Sequence, residues 1–295
     1  MSLSPIELID THVHLDDDRY DKDRGRVVAS AHASGVKTMV VPATTRNRWT
    51  KIQSLANSYT GVIPAYGLHP LFMQEQSESD LFALEKQIKH SPCIAIGECG
   101  LDRHCLKQLN KSDDDPAANA ATDPALSTAD LFARQLFYFE AQINLAAKLN
   151  LPVIVHARQA IEDVILSIKK CPATRGVVHS FNGSIQQATR LIDLGYRLSF
   201  GGAVTYPRAT KLHKLIQVLP CESLLIETDA PHQTGNANQG QRNEPAYLHE
   251  VLQTVAKLRG ESAESVACQC NLNAAELLNL EAWTKEPSER GEAWQ

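Results

Sequence analysis

Six side chains able to bind a divalent cation stand at or near the ends of short apolar runs: His12, His14, Glu98, His156, His179 and Asp229. Asp10-Thr11-His12-Val13-His14 closes the first run, and in an extended segment residues two apart point to the same side. His12 and His14 can therefore address one ion together. Glu98 follows Ile96-Gly97, His156 follows Val153-Ile154-Val155, His179 follows Val177-Val178, and Asp229 follows Glu227-Thr228. Four imidazoles and two carboxylates suit one or two divalent cations, with a carboxylate free to bridge a pair. Mg, Mn, Zn, Fe, Co and Ni all remain open as the ion. Such a centre activates a water as nucleophile and offsets charge on the group attacked. Asp229 and Glu98 are then the catalytic carboxylates, Asp229 as proton acceptor and Glu98 mainly as a holder of metal.

Further residues stand where a substrate could meet this centre. His69, in Gly67-Leu68-His69-Pro70, suits either a phosphate contact or a loop anchor. Arg158, Arg208 and Arg242 could clamp phosphate oxygens through their forked donors, and each equally suits a surface ion pair. Asp10 and Glu227 are candidates to orient metal-binding imidazoles. Phe181 could stack on a base or simply pack. The other histidines (His32, His90, His104, His213, His232 and His249) read as structural or exposed.

The elements that must position these groups alternate. Strands are expected at Glu7–Thr11, Thr38–Pro42, Val62–Tyr66, Ile94–Gly97, Val153–His156, Gly176–His179, Arg197–Gly201 and Leu224–Thr228. Helical periodicity marks Asp23–Ser34, Trp49–Ser58, Asp80–Lys89, Ala129–Leu149, Ala160–Lys170, Ile185–Leu194, Ala209–Val218 and Pro245–Leu258. Eight βα units predict an α/β fold closed as a (β/α)₈ TIM barrel of the amidohydrolase-like kind, whose active site lies at the C-terminal strand ends. An open doubly wound sheet would want a G-x-G-x-x-G after the first strand, and none is present. The expected organisation is one barrel domain over 1–282, with a long surface loop at 107–128 and a polar tail at 283–295.

The 295 residues carry 43% hydrophobic and 21% charged side chains and a formal net charge of -5, which argues against a surface that grips nucleic acid throughout. A nuclease that concentrates positive charge in metal ions and a few local cations stays compatible. Seven scattered cysteines suit reduced thiols and a cytoplasmic protein. The N-terminus lacks the pattern of a signal peptide, no run suits a membrane span, and a monomer is compatible with the sequence.

Taken together the motifs resemble the TatD-like deoxyribonuclease family of metal-dependent hydrolases, in its YjjV-type branch. They are Ile9-Asp10-Thr11-His12-Val13-His14-Leu15-Asp16, Tyr66-Gly67-Leu68-His69-Pro70, Gly97-Glu98-Cys99-Gly100-Leu101-Asp102, Leu151-Pro152-Val153-Ile154-Val155-His156-Ala157-Arg158, Val178-His179-Ser180-Phe181, Leu225-Ile226-Glu227-Thr228-Asp229-Ala230-Pro231 and Gln241-Arg242-Asn243-Glu244-Pro245. The resemblance implies two metal cations per chain: His12 and His14 on one with help from Asp229, Glu98 bridging, and His156 and His179 on the other. It implies phosphodiester hydrolysis in DNA, of 3'-5' exonuclease type. Cys99 and Arg103-His104-Cys105 depart from the family's usual residues and touch the rim, where substrate is chosen. Cleavage of C–N or ester bonds, as in amidohydrolases and lactonases, is the alternative reaction on such a scaffold. A catalytically silent binding protein is the third reading, which the complete ligand set disfavours.

Overall fold

Apolar β-branched runs buried on both faces form parallel strands, because helices must cover what a closed sheet turns outward. In the computed structural model, which describes residues 6–109 and 127–283, eight strands do so. They are β1 (Leu8–Asp10), β2 (Val36–Pro42), β3 (Val62–Ala65), β4 (Ile96–Asp102), β5 (Val153–Arg158), β6 (Gly176–Val178), β7 (Tyr196–Phe200) and β8 (Leu224–Ile226). All pair in parallel in chain order, as a run of three and a run of five. Backbone bonds cross both gaps. The Gly97 N–H donates to the Tyr66 carbonyl at 2.9 Å, and the Ile94 N–H to Pro64 at 2.9 Å. On the other side, the Asp229 N–H donates to the His12 carbonyl at 2.9 Å and the His14 N–H to Ala230 at 2.8 Å. The sheet thus curls into the expected barrel.

Helices α1 (Arg24–Ala33), α2 (Arg46–Ser58), α3 (Glu78–His90), α4 (Arg103–Leu109) and α5 (Thr128–Leu149) alternate with the first strands. They are followed by α6 (Ile161–Lys170), α7 (Ile185–Asp193), α8 (Thr210–Val218), α9 (Leu248–Arg259), α10 (Ala263–Leu278) and α11 (Leu280–Trp283). Their ends follow local chemistry. Ser127 and Asp130 form a capping box at the start of α5, with the Asp130 N–H donating to Ser127 Oγ at 3.2 Å and the Ser127 N–H to Asp130 Oδ2 at 3.0 Å. Gly260, at φ 67°, ends α9 in the left-handed conformation that lacks a penalty only for glycine.

Strand residues alternate between two cores. Met39 and Val41 join the large cluster under the helices. Val40, Ile63, Ile154, Val177 and Leu225 instead meet inside the barrel, together with Ala274, Leu277 and Leu278 of α10. The C-terminal helix therefore plugs the end of the barrel away from the site. Sequence periodicity assigned no helix there.

Two expectations change. β4 does not stop at Gly97; it runs to Asp102 after an irregularity in which Ile96 opposes Val153 but Cys99 opposes Val155, so the Gly97–Glu98 step bulges. The loop expected at 107–128 begins as helix, since α4 continues to Leu109. The rest of it up to residue 126 lies outside the described residues. So does the expected tail 283–295, apart from Trp283, which ends α11. Among the described residues no helix is long and apolar enough to cross a membrane.

Candidate metal centre

The segment after β1 puts the imidazoles of His12 and His14 on one side, their Nε2 atoms 3.2 Å apart. The bulge in β4 turns Glu98 into the same space. Tight pairing of β4 with β5 requires Gly100 here, at φ 143°, because a Cβ would come within 2.0 Å of the His156 carbonyl oxygen. His156 on β5, His179 just after β6, and Asp229 three residues after β8 complete the ring, as the sequence led us to expect. All six converge.

Glu98, 2% exposed, divides the ring between its two oxygens. Oε2 lies 3.2 Å from His12 Nε2 and 3.5 Å from His14 Nε2. Oε1 lies 2.8 Å from His179 Nε2, 3.0 Å from His156 Nδ1 and 3.1 Å from His69 Nε2. Asp229 Oδ1 joins the first side, 3.5 Å from His14 and 3.7 Å from His12. Ligands of one ion with bonds near 2.1 Å stand roughly 3.0–3.4 Å apart, close to the 2.8–3.7 Å between these donor atoms. Two unprotonated imidazole nitrogens facing each other at 3.2 Å, as His156 Nδ1 and His179 Nε2 also do, repel unless a proton or cation lies between them. The residues fit the binding of divalent cations. Three overlapping donor triads gather here, His12 with His14 and Glu98, His12 with His179 and Asp229, and His69 with Glu98 and His156.

Supporting groups set which nitrogen faces inward. Asp102 Oδ2 sits 3.0 Å from His156 Nε2, so a proton held there leaves Nδ1 free to face Glu98. Asp102 is itself fixed by accepting from the Cys105 N–H at 2.8 Å. Glu227 lies 3.5 Å behind His179 Nδ1 and accepts from the Ser180 N–H and hydroxyl at 2.7 and 2.9 Å. Asp10 acts differently from the expectation. It accepts from the Thr228 N–H and hydroxyl at 3.0 and 2.5 Å and from the His12 N–H at 3.3 Å, so it ties the backbones of β1 and β8 rather than an imidazole.

Electrostatics follow from burial and crowding. Burial pushes the Asp10 carboxyl up to about 8 against its hydrogen bonds. Burial opposes charge on His14 too, but Asp229 and Glu98 outweigh it and raise the imidazole to about 9. Burial would likewise raise Glu98 and Asp229, yet the surrounding histidines hold both below the usual carboxylate range. His12 and His69 go the other way: burial lowers both imidazoles despite Glu98, His69 to about 4, so the His69 ring is neutral near neutral pH. Its Nδ1 accepts from the Leu71 N–H at 3.0 Å, which places the proton on Nε2, facing Glu98. His69 thus anchors its loop and presents a donor to the site, both roles left open by the sequence.

The centre lies at the base of a cavity of about 1130 Å³ lined by both the metal-binding groups and a wider rim. Arg158 is on that rim, exposed, and forms no ion pair among the described residues. Arg208 is not in this cavity but lines a neighbouring one. Arg242 lines neither. Its guanidinium donates to Asp23 at 2.6 and 2.8 Å and to Glu244 at 2.8 Å, and lies over the Tyr20 ring, so it braces the loop after β8. Phe181 is 2% exposed and packs edge-on to Phe200, leaving no face for a base. Sequence reasoning gave no role to Asp102, the last residue of the quoted Gly97–Asp102 motif, although the alternation of a strand places it on the face of Glu98 once the strand is carried through. It also set aside His104 and His232, which line the cavity.

Comparison with known proteins agrees with this geometry. Residues 9–279 match the family described as TatD related DNase. The chain is 35% identical to YjjV of Escherichia coli K12, named an uncharacterized metal-dependent hydrolase, over 92% of this chain and 98% of the relative. It is 30% identical to the 3'-5' ssDNA/RNA exonuclease TatD of Pantoea ananatis, over 92% of this chain and 100% of that one. The crystal structure of the E. coli YjjV protein, a TatD homologue, superposes with a TM-score of 0.81 at 33% identity, covering 93% of this chain and 98% of the other. With its barrel, its ring of histidines and carboxylates and a match running from β1 to the end of α10, the chain belongs to the TatD related DNase family.

Proposed function

We propose that the protein is a divalent-metal-dependent hydrolase that cleaves phosphodiester bonds of single-stranded nucleic acid, as a 3'-5' exonuclease. The observation that carries this reading is Glu98, whose two oxygens each face a separate set of imidazoles inside a cavity. His12, His14 and Asp229 would hold one cation, and His156 and His179 the other, with Glu98 between them. Bound there, two cations supply positive charge against phosphoryl oxygens and acidify a water.

The chain's own groups do the rest. Asp229 Oδ2 accepts from Gln233 Nε2 at 2.6 Å, which fixes the carboxylate while its other oxygen faces His12 and His14. A carboxylate held ionised at the cavity floor orients a water and takes its proton. His69 Nε2, neutral and protonated, donates to an oxygen of the bound phosphate or to Glu98. Arg158, exposed at the rim, meets the substrate's negative charge. The name of the Pantoea ananatis relative supports the choice of substrate and polarity.

The test is to strip the protein of metal, reload it with Mg²⁺, Mn²⁺, Zn²⁺, Co²⁺, Ni²⁺ or Fe²⁺, and assay single-stranded DNA, RNA, bis(4-nitrophenyl) phosphate, and a panel of amides and lactones. Metal-dependent release of mononucleotides from the 3' end is expected. Amide or lactone cleavage without phosphodiester cleavage by any metal form would overturn the proposal.

A further inference from the structure

A second cavity of about 760 Å³ opens beside the metal centre, between the loop after β7 and the loop after β8. The two cavities share Asn182 and Gln233 as walls, and Gln233 is the residue whose amide donates to Asp229. Asn182 and Gln233 thus stand at the border of the two cavities. Their charge differs sharply. The metal cavity is lined by Asp16, Asp17, Glu162 and Asp163 besides Glu98 and Asp229, with Arg48 and Arg158 as its only arginines among the described residues. The second holds Arg208 and Lys211 and no acidic residue.

These two cations are not engaged by carboxylates. Lys211 Nζ donates to the Asn182 carbonyl at 2.9 Å, and Arg208, exposed, contacts only the Tyr206 ring at 5.6 Å among the described residues. Two such cations together, in a chain of net charge -5, make a local anion site. Tyr206 adds a half-exposed ring, held in place because its hydroxyl donates to the Thr234 carbonyl at 3.0 Å. A charged pair beside a fixed aromatic face is the chemistry that holds one nucleotide of a single strand, phosphate on the cations and base on the ring.

We infer that the cavity formed by Tyr206, Arg208 and Lys211 is a subsite for the nucleotide next to the scissile phosphodiester, so that the strand runs from the metal centre past Asn182 and Gln233. The inference rests on the phosphodiesterase reading above and adds the strand's path to it. It makes the enzyme selective for chains over small phosphodiesters. The rim carboxylates Asp17, Glu162 and Asp163 are held in ion pairs with Arg19, Arg190 and Arg103, whereas the cations of the second cavity have no carboxylate partner among the described residues and stay available to the strand.

The experiment compares a thymidine oligonucleotide with bis(4-nitrophenyl) phosphate, which is too small to span both cavities, and follows binding of fluorescein-labelled oligonucleotide by anisotropy. Arg208→Ala with Lys211→Ala should lower the ratio of kcat/KM for oligonucleotide over reporter by about tenfold through KM, and weaken anisotropy binding with a flatter salt dependence. Tyr206→Leu should lower the same ratio by about fivefold or more, and Tyr206→Phe should restore it, since stacking survives without the hydroxyl. Lys86→Ala, on distant α3, controls for loss of charge alone. An equal fall on both substrates, or an unchanged ratio, overturns the subsite. If the wild type cleaves neither substrate, the phosphodiesterase reading fails by itself. The subsite then stands only if the double substitution abolishes oligonucleotide binding, and falls if binding is unchanged.

Discussion

The floor and the rim of the same cavity are built on opposite principles. On the floor, charged and polar groups are buried, crowded and constrained from behind: Glu98, Asp10 and Asp102 have almost no exposure, and each accepts from at least one backbone or imidazole donor. Around it, long cations are either without an ion pair, as Arg158 on the rim and Arg208 in the neighbouring cavity are among the described residues, or spent on structure away from both cavities, as Arg242 is by Asp23 and Glu244. The difference teaches where substitutions tell. A floor residue has no alternative partner, so its loss is felt in chemistry and metal. A rim residue trades one solvent-accessible contact for another.

The sharpest way to break this contrast is Glu98→Gln. It should lower kcat/KM on any phosphodiester by about 10³-fold or more, because on the proposed reading the lost carboxylate charge is worth several kcal/mol to the metal centre. Elemental analysis should show metal content reduced in parallel. Next, Asp229→Asn should lower kcat by about 10²–10⁴-fold with little change in KM, the range of a positioned general base, while metal content stays largely intact. Near-native turnover in that variant would remove Asp229 from the role of base. Asp102→Asn should weaken metal affinity by about 10–100-fold, measured by competition with a chelating dye, since His156 loses the partner that fixes its proton. Smallest of all, Arg242→Ala should leave kcat/KM within about twofold and lower Tm by about 2–4 °C in a thermal melt, as expected for a partly exposed ion-pair network. A large loss of activity there would erase the distinction between floor and rim.

The same contrast explains what the sequence made legible. The ligands announce themselves because metal chemistry restricts residue type, and because placing them at strand ends needs only the two-residue alternation of a strand. The barrel followed from eight apolar runs separated by helical periodicity. Less was visible where a feature depends on contacts distant in sequence. The bulge at Gly97–Glu98 exists only against β5, so β4 was ended too early and Asp102 was lost with it. The plugging helix α10 buries Val266, Ala267, Cys270, Asn273, Ala274, Leu277 and Leu278, a face broken by Asn273 whose role shows only once the open end of the barrel is there to receive it. Arg242 shares a motif with the site yet turns away from it, since Asp23 and Glu244 reach it first.

The tie between Asp10 and Thr228 joins residues 218 positions apart, and the donors on that side of the centre, His12, His14 and Asp229, come from the two ends of that span. During synthesis, therefore, the first two histidines emerge from the ribosome long before their carboxylate partner. A nascent chain shorter than Asp229 offers a metal only a loose pair of imidazoles. On the proposed ligand set, that side of the centre can be completed only once Asp229 has been made, and a product truncated before it would lack that donor.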